Sequence, residues 1–242
     1  MSRDKLAVDR HPVEQLLDIE QQAIKDFTHK EPDIWRILAT TSTSAHALLA
    51  VAADLPHLTK TESLRVFLWQ GALRYQFLSL KFIITHELDA AYTLLRNATE
   101  LSRDIICIAD NDQRIKSWFE SKTSKKRDKL FVFDKSDPVQ EFVFKIYKVA
   151  SDWGTHGHFS GLFYGQVIGR VGPDNGLALV QVSEDGIRDA LLCWLAGFSP
   201  IQTLCCRQFI KMHPIEFEES WGLFSEYSNL IGDMLKDIAH KK

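Results

Sequence analysis

Arg96, Glu100 and Arg103 stand at i, i+4 and i+7 in YTLLRNATELSRDI, so a helix through this stretch carries all three on one side. Further along, YKVASDWGTHGHFSGL places Tyr147 and Ser151 one turn apart and runs on to Gly154, His156 and His158. Arginine supplies a fixed, planar fork that matches phosphate or carboxylate, and tyrosine and histidine add directional hydrogen bonds. Two kinds of chemistry follow. Arg96, Glu100, Arg103, Tyr147, Ser151 and His156 can line a polar pocket for a protein partner or a small anionic ligand. Alternatively, His156 or His158 can take the proton from a ribose 2′-hydroxyl while Arg96 or Arg103 steadies charge on the phosphate, which is metal-independent ribonuclease chemistry. His156 and His158 alternate as metal ligands do, but no third ligand follows nearby, so no metal is assigned. No cofactor is assigned either. The glycines between 160 and 176 do not sit between a strand and a helix, and no G-x-S-x-G elbow is present.

The elements that must position these residues are helical. Asp137 is a good N-cap, Pro138 suits the first helical position, and Gln140 follows at capping-box spacing. Phe142, Ile146, Val149 and Trp153 recur at helical spacing and are expected to face a core, with Val143, Tyr147 and Ser151 beside them. For the earlier motif, Asp89 is expected to cap a helix from Ala90 to Ala109 with Leu94, Ala98, Leu101, Ile105 and Ile108 inward. The Arg96 stripe then borders this apolar face through Tyr92 and Thr99. Its Arg-before-Glu order is the weaker arrangement for a simple helix-stabilising pair, which favours the wall of a site.

Around these two helices the pattern predicts more of the same. A helical stripe runs from Pro12 to about His29, and a second helix from Ile34 to Asp54 has a small-sided middle, with His46 expected as a satisfied core histidine. Thr59-Lys60-Thr61-Glu62 is a capping box opening a helix to about Thr85, apolar on most faces and expected at the centre of a bundle. KTSKKRDK, from Lys122, reads as a solvated basic loop. Gly172 to Gly176 is a turn between two β-prone runs, giving a small hairpin or extended loop near 165–182. Ser183 is expected to cap a helix to about Ala196, restarted or kinked at Ser199-Pro200 and carrying on to Lys211, and a last helix runs from Ile215 to about Ile238. The expected fold is all-α: a flexible arm over 1–11, then a single-domain multi-helix bundle over 12–242.

YTLLRNATELSRDI and YKVASDWGTHGHFSGL together resemble bacterial helical proteins of the HEPN-like kind, especially a family with Leu-Arg-x3-Glu on one helix and Tyr-x3-Ser followed by His at the end of a later one. The resemblance covers roughly the central 70 residues of the chain. It implies a helical bundle, often a homodimer, from bacterial defence, toxin or RNA-processing systems, some members being metal-independent ribonucleases. Arg96 and Glu100 match the first motif; Tyr147, Ser151 and His156 match the second. Ribonuclease members carry an arginine followed after four to six residues by histidine. The only such spacing here is Arg207 to His213, and none precedes His156 or His158.

Totals set the outer limits. With 242 residues, 45% hydrophobic and 25% charged, the chain is long enough for a substantial core, and only 12 Gly and 7 Pro favour long elements over many turns. A formal net charge of -3 argues against a strongly basic nucleic-acid binder, although RNA as a partner stays with the ribonuclease reading. Cys107, Cys193, Cys205 and Cys206 show no CxxC or zinc spacing and read as reduced thiols. MSRDKLAVDRHP lacks the apolar stretch of a signal peptide, and no uninterrupted apolar run is long enough to span a bilayer. A cytoplasmic protein without a membrane partner is the expectation.

Overall fold

The computed structural model describes residues 12–108, 112–121, 131–154, 166–171, 176–182 and 184–240. Its body is all-helical, with eight helices among the described residues: α1 (Pro12–Lys30), α2 (Pro32–Asp54), α3 (Lys60–Ile84), α4 (Leu88–Cys107), α5 (Asp112–Glu120), α6 (Pro138–Gly154), α7 (Glu184–Met212) and α8 (Pro214–His240). The backbone of Gln166–Val171 lies antiparallel to Gly176–Val182, with Gln166 opposite Val182. The arm expected over 1–11 lies outside the described residues.

Helix starts follow local chemistry where a cap is present. At α3 the capping box is complete: Thr59 N–H donates to Glu62 Oε2 at 2.8 Å, and Glu62 N–H donates to Thr59 Oγ1 at 3.2 Å. At α6 the Asp137 carboxylate accepts from Val139 N–H at 2.9 Å and Gln140 N–H at 3.3 Å. Gln140 does not close the box on its own N-cap; its Oε1 accepts from Asp134 N–H at 2.9 Å. Asp89, expected as a cap, sits inside the first turn of α4, and Asp33 likewise inside the first turn of α2, where the helix N-terminus favours their charge; Glu87 and Glu31 hold the cap positions without a side-chain bond. Pro200 lies within α7, which runs through to Met212 as one helix, so of the restart or kink expected there a restart does not occur.

One contiguous cluster of buried residues runs from Leu38 on α2 to Ile231 on α8. The most extensive contact is α3 on α4; α6 packs on α4, α7 lies across α3, α4, α6 and α8, and α8 covers α2. So α4 and α7 occupy the middle, and α3 is not enclosed all round: Phe67 is 65% exposed on its outer side. Polar groups inside are satisfied in a chain. Trp69 Nε1 donates to Gln202 Oε1 at 2.6 Å, Gln202 Nε2 donates to Gln76 Oε1, and Trp194 Nε1 donates to the Gln76 carbonyl at 2.7 Å. His46, expected in the core, is exposed; its Nδ1 pairs with the Ser42 carbonyl at 2.9 Å and its ring stacks on Phe77.

The buried side of α6 differs from the one expected. Gln140, Val143, Ile146 and Ala150 face inward, whereas Phe142, Val149 and Trp153 stay 41%, 38% and 40% exposed. The helix carries two apolar stripes, and the one ending in small residues wins because it permits close approach. A Cβ on Gly154 would lie 2.6 Å from the Thr93 nitrogen, so α6 reaches the backbone of α4 only at glycine.

Gly186–Met212 has the length and mean hydropathy to cross a membrane, a possibility that a search for uninterrupted apolar runs passes over. Within its most apolar window 61% is buried inside the protein, so packing in the bundle accounts for that composition. Burial pushes the Cys193 and Cys206 thiols up to about 12 and raises Cys205 and Cys107 as well, leaving four free thiols with little thiolate character.

Candidate functional site

The arginine helix and the tyrosine helix do meet. The Arg96 guanidinium carbon on α4 lies 5.5 Å from the centre of the Tyr147 ring on α6, within cation–π range. Their register is set by two adjacent contacts, one turn before Arg96 on α4 and two turns beyond Tyr147 on α6. Thr93 Oγ1 donates to the Gly154 carbonyl at 2.8 Å, and Tyr92 stacks on Trp153 with centroids 6.0 Å apart. Glu100 fixes the arginine: Arg96 Nε donates to Glu100 Oε1 at 2.8 Å, with only 21% and 13% of the two side chains exposed. Among the described residues, Nη1 and Nη2 of Arg96 and Oη of Tyr147 take no hydrogen-bond partner. The site is therefore an oriented guanidinium edge beside a phenol.

The ring extends into an aromatic ledge that the sequence reading missed. Tyr147 stacks on Phe144 (6.2 Å, 17°), and Phe133 closes on both at 5.8 and 6.3 Å. Lys135 and Lys148 lie over Phe144, their ammonium nitrogens 4.7 and 5.6 Å from its centre. Phe144, Tyr147 and Lys148 share helical spacing and were legible in α6. The approach of Phe133 and Lys135 comes from the segment before the helix, which carries no periodic signal. Arg96, Lys135 and Lys148 against Glu100 leave the ledge net positive.

Other expected members lie elsewhere. Ser151 sits half-buried on α6, one turn beyond Tyr147. Arg103 turns into the protein, 6% exposed, where its Nε and Nη2 donate to Asp104 Oδ1 at 3.1 and 2.9 Å. Asp104, fully buried, also accepts from Trp118 Nε1 at 2.9 Å. This pair ties α5 to α4, and seven residues of helix separate it from Arg96, about 10 Å along the axis. His156 and His158 lie outside the described residues, so the catalytic arrangement proposed for them has no geometry here. Among the described residues no three His, Cys, Asp or Glu side chains gather as a metal site.

The Arg207 to His213 spacing holds two helix starts. Arg207 Nη1 donates to Asp137 Oδ2, reinforcing the cap of α6, and His213 Nε2 stands 3.5 Å from Glu62 Oε1 at the start of α3. The Asp137 carboxyl is held below its ordinary range by Arg207 first and then by its backbone donors. For Glu62, burial alone would raise the value, but the Thr59 bonds and His213 outweigh it and the carboxyl ends up lowered. Each side chain is spent on a different carboxylate.

Two cavities open on the described surface. One of about 420 Å³ between α6, α7 and α8 has a mainly apolar lining that includes Phe142, Leu195, Ile231 and Gly232. The other, about 640 Å³, lies where α3 meets α4 and α5. The Arg96 ledge lines neither of them. No protein-family profile, curated protein or solved structure matches this chain.

Proposed function

We propose that the chain is a binding module whose Arg96–Tyr147 ledge takes a ligand that carries a phosphate or carboxylate beside a flat ring. The observation that carries this reading is a half-buried arginine tied through Nε alone, with both Nη groups and the neighbouring tyrosine hydroxyl unpaired among the described residues. An arginine held in this way offers a two-pronged donor edge with part of its ordering cost already met by the fold. The flat rings of Tyr147 and Phe144 and the charges of Lys135 and Lys148 suit a planar anion. Glu100 orients the arginine and leaves the ledge positive overall.

A metal-independent ribonuclease at the same ledge is the second reading, favoured by cations interleaved with stacking rings. It needs His156 or His158 as the base, with Arg96 at the phosphate. The HEPN-like membership, a homodimer and a bacterial defence or toxin-type setting rest on the sequence resemblance alone and go with either reading; a cytoplasmic location is proposed with them. The segment 166–182, with its two antiparallel runs, is read as a hairpin crossing the end of the bundle.

One experiment separates the readings. Purified protein is titrated with pyrophosphate and with single-stranded RNA in EDTA, beside Arg96→Gln and His156→Ala. Binding weakened about tenfold by Arg96→Gln with intact RNA supports the module. Cleavage in EDTA that is lost in both variants supports the enzyme. Binding and RNA integrity indifferent to Arg96 would remove the ledge from function.

A further inference from the structure

The larger cavity is separate from the ledge and shares no residue with it. Its long wall is the outer stripe of α3, where Phe67, Gly71, Arg74 and Leu78 recur at helical spacing, and Leu101 of α4 and Trp118 of α5 close the other side. Its volume of about 640 Å³ falls within the usual range for a small-molecule pocket.

The concavity is built into the fold. Gly71 lets Leu101 press onto α3; a Cβ there would stand 2.9 Å from Leu101 Cδ1, so any larger residue would push the floor outward. Trp118 cannot swing freely, because its indole N–H is bonded to the buried Asp104 carboxylate, which is itself paired with Arg103. Phe67 is left 65% exposed at the rim. The other large apolar side chains of α3 are buried or partly buried, so Phe67 leaves an apolar surface open at this rim for something apolar.

Charge selects the occupant. Among the described residues, Arg74 is exposed on the wall, pairs with no carboxylate and is the only charged residue lining the cavity, and no acidic residue lines it. Gln70 and Tyr75 add polar groups on the same helix. Phe67 and Arg74 are seven residues apart, about 10 Å along α3, so the apolar and cationic ends are spaced along one groove. We propose that this cavity binds a small amphipathic acid, with its acidic head at Arg74 and its hydrocarbon body between Phe67, Leu101 and Trp118.

The test compares decanoate with decanol by calorimetric titration of the full chain, up to the solubility of the alcohol. Three variants are measured beside it, each checked for unchanged helicity: Arg74→Gln, Gln70→Trp, which fills the cavity from an exposed position, and Gly232→Trp in the other cavity. Decanoate should bind one to one and about tenfold more tightly than decanol, the modest preference expected of an exposed guanidinium. Arg74→Gln should abolish that preference and leave decanol binding as it was. Gln70→Trp should weaken both ligands, and Gly232→Trp neither. Absence of decanoate binding, an equal affinity for the two ligands, a preference that survives Arg74→Gln, or loss caused by Gly232→Trp but not by Gln70→Trp would each overturn the assignment.

Discussion

Thr93 Oγ1 donates to the carbonyl of Gly154 at 2.8 Å, and the Gly154 α-carbon lies against the Thr93 backbone with no room for a side chain. This contact clamps the end of α6 to the start of α4 and so sets Tyr147 beneath Arg96. Gly154→Ala should destabilise the protein by about 1–3 kcal/mol through overpacking against backbone, and Thr93→Val by about 1 kcal/mol through the lost hydrogen bond. Urea unfolding with an unchanged slope is the measurement. If Gly154→Ala unfolds like the parent, the close approach is not what fixes the two helices.

The cap of α6 has a pH signature. Because Arg207 and the backbone donors hold the folded Asp137 carboxyl low, its contribution is complete above the unfolded value, about 4, and is lost as pH falls through the folded value. Asp137→Asn should lower stability at pH 7 by roughly 1 kcal/mol, discounted because Arg207 is 40% exposed, and should flatten the acid limb of the stability curve. Parallel acid limbs in parent and variant would show that the pair contributes nothing.

Gln76 and Gln202 are fully buried and serve each other together with two tryptophans. Gln202→Leu strands the Trp69 N–H and part of the Gln76 amide, and should cost about 2–4 kcal/mol. Adding Gln76→Leu should cost less than the sum of the two single changes, since each removes a partner the other needs. Additive losses in a double-mutant cycle would mean that the chain of bonds is not cooperative.

His86 ends α3 at φ 68, the position where glycine is usual, with His86 N–H bonded to the Ile83 carbonyl at 3.1 Å and Glu87 N–H to Phe82 at 2.7 Å. His86→Gly should stabilise by about 0.5–1 kcal/mol at pH 8 by relieving the left-handed backbone. Burial first, and then the Lys30 charge, depress the folded imidazole below 6.5, so the neutral form is the one that folds best. Stability contributed by the group is present above about 6.5 and lost as pH falls through the folded value; the glycine variant should lack that step. Thermal unfolding between pH 8 and 5 reads both effects.

Features that depend on near neighbours were legible along the chain. Thr59 with Glu62 and Asp137 with Val139 mark helix starts because a cap is made within a single turn, and 3.6-residue periodicity marks the helices for the same reason. Spacing also picked out Arg96, Glu100 and Tyr147. Tertiary structure decided which of two apolar stripes on α6 turns inward, that Arg103 serves Asp104, that Arg207 and His213 brace separate helix starts, and that Phe133 and Lys135 join Phe144. Those outcomes rest on contacts between residues far apart in the chain, where close approach at Gly154 and pairing of buried charge outweigh any local preference.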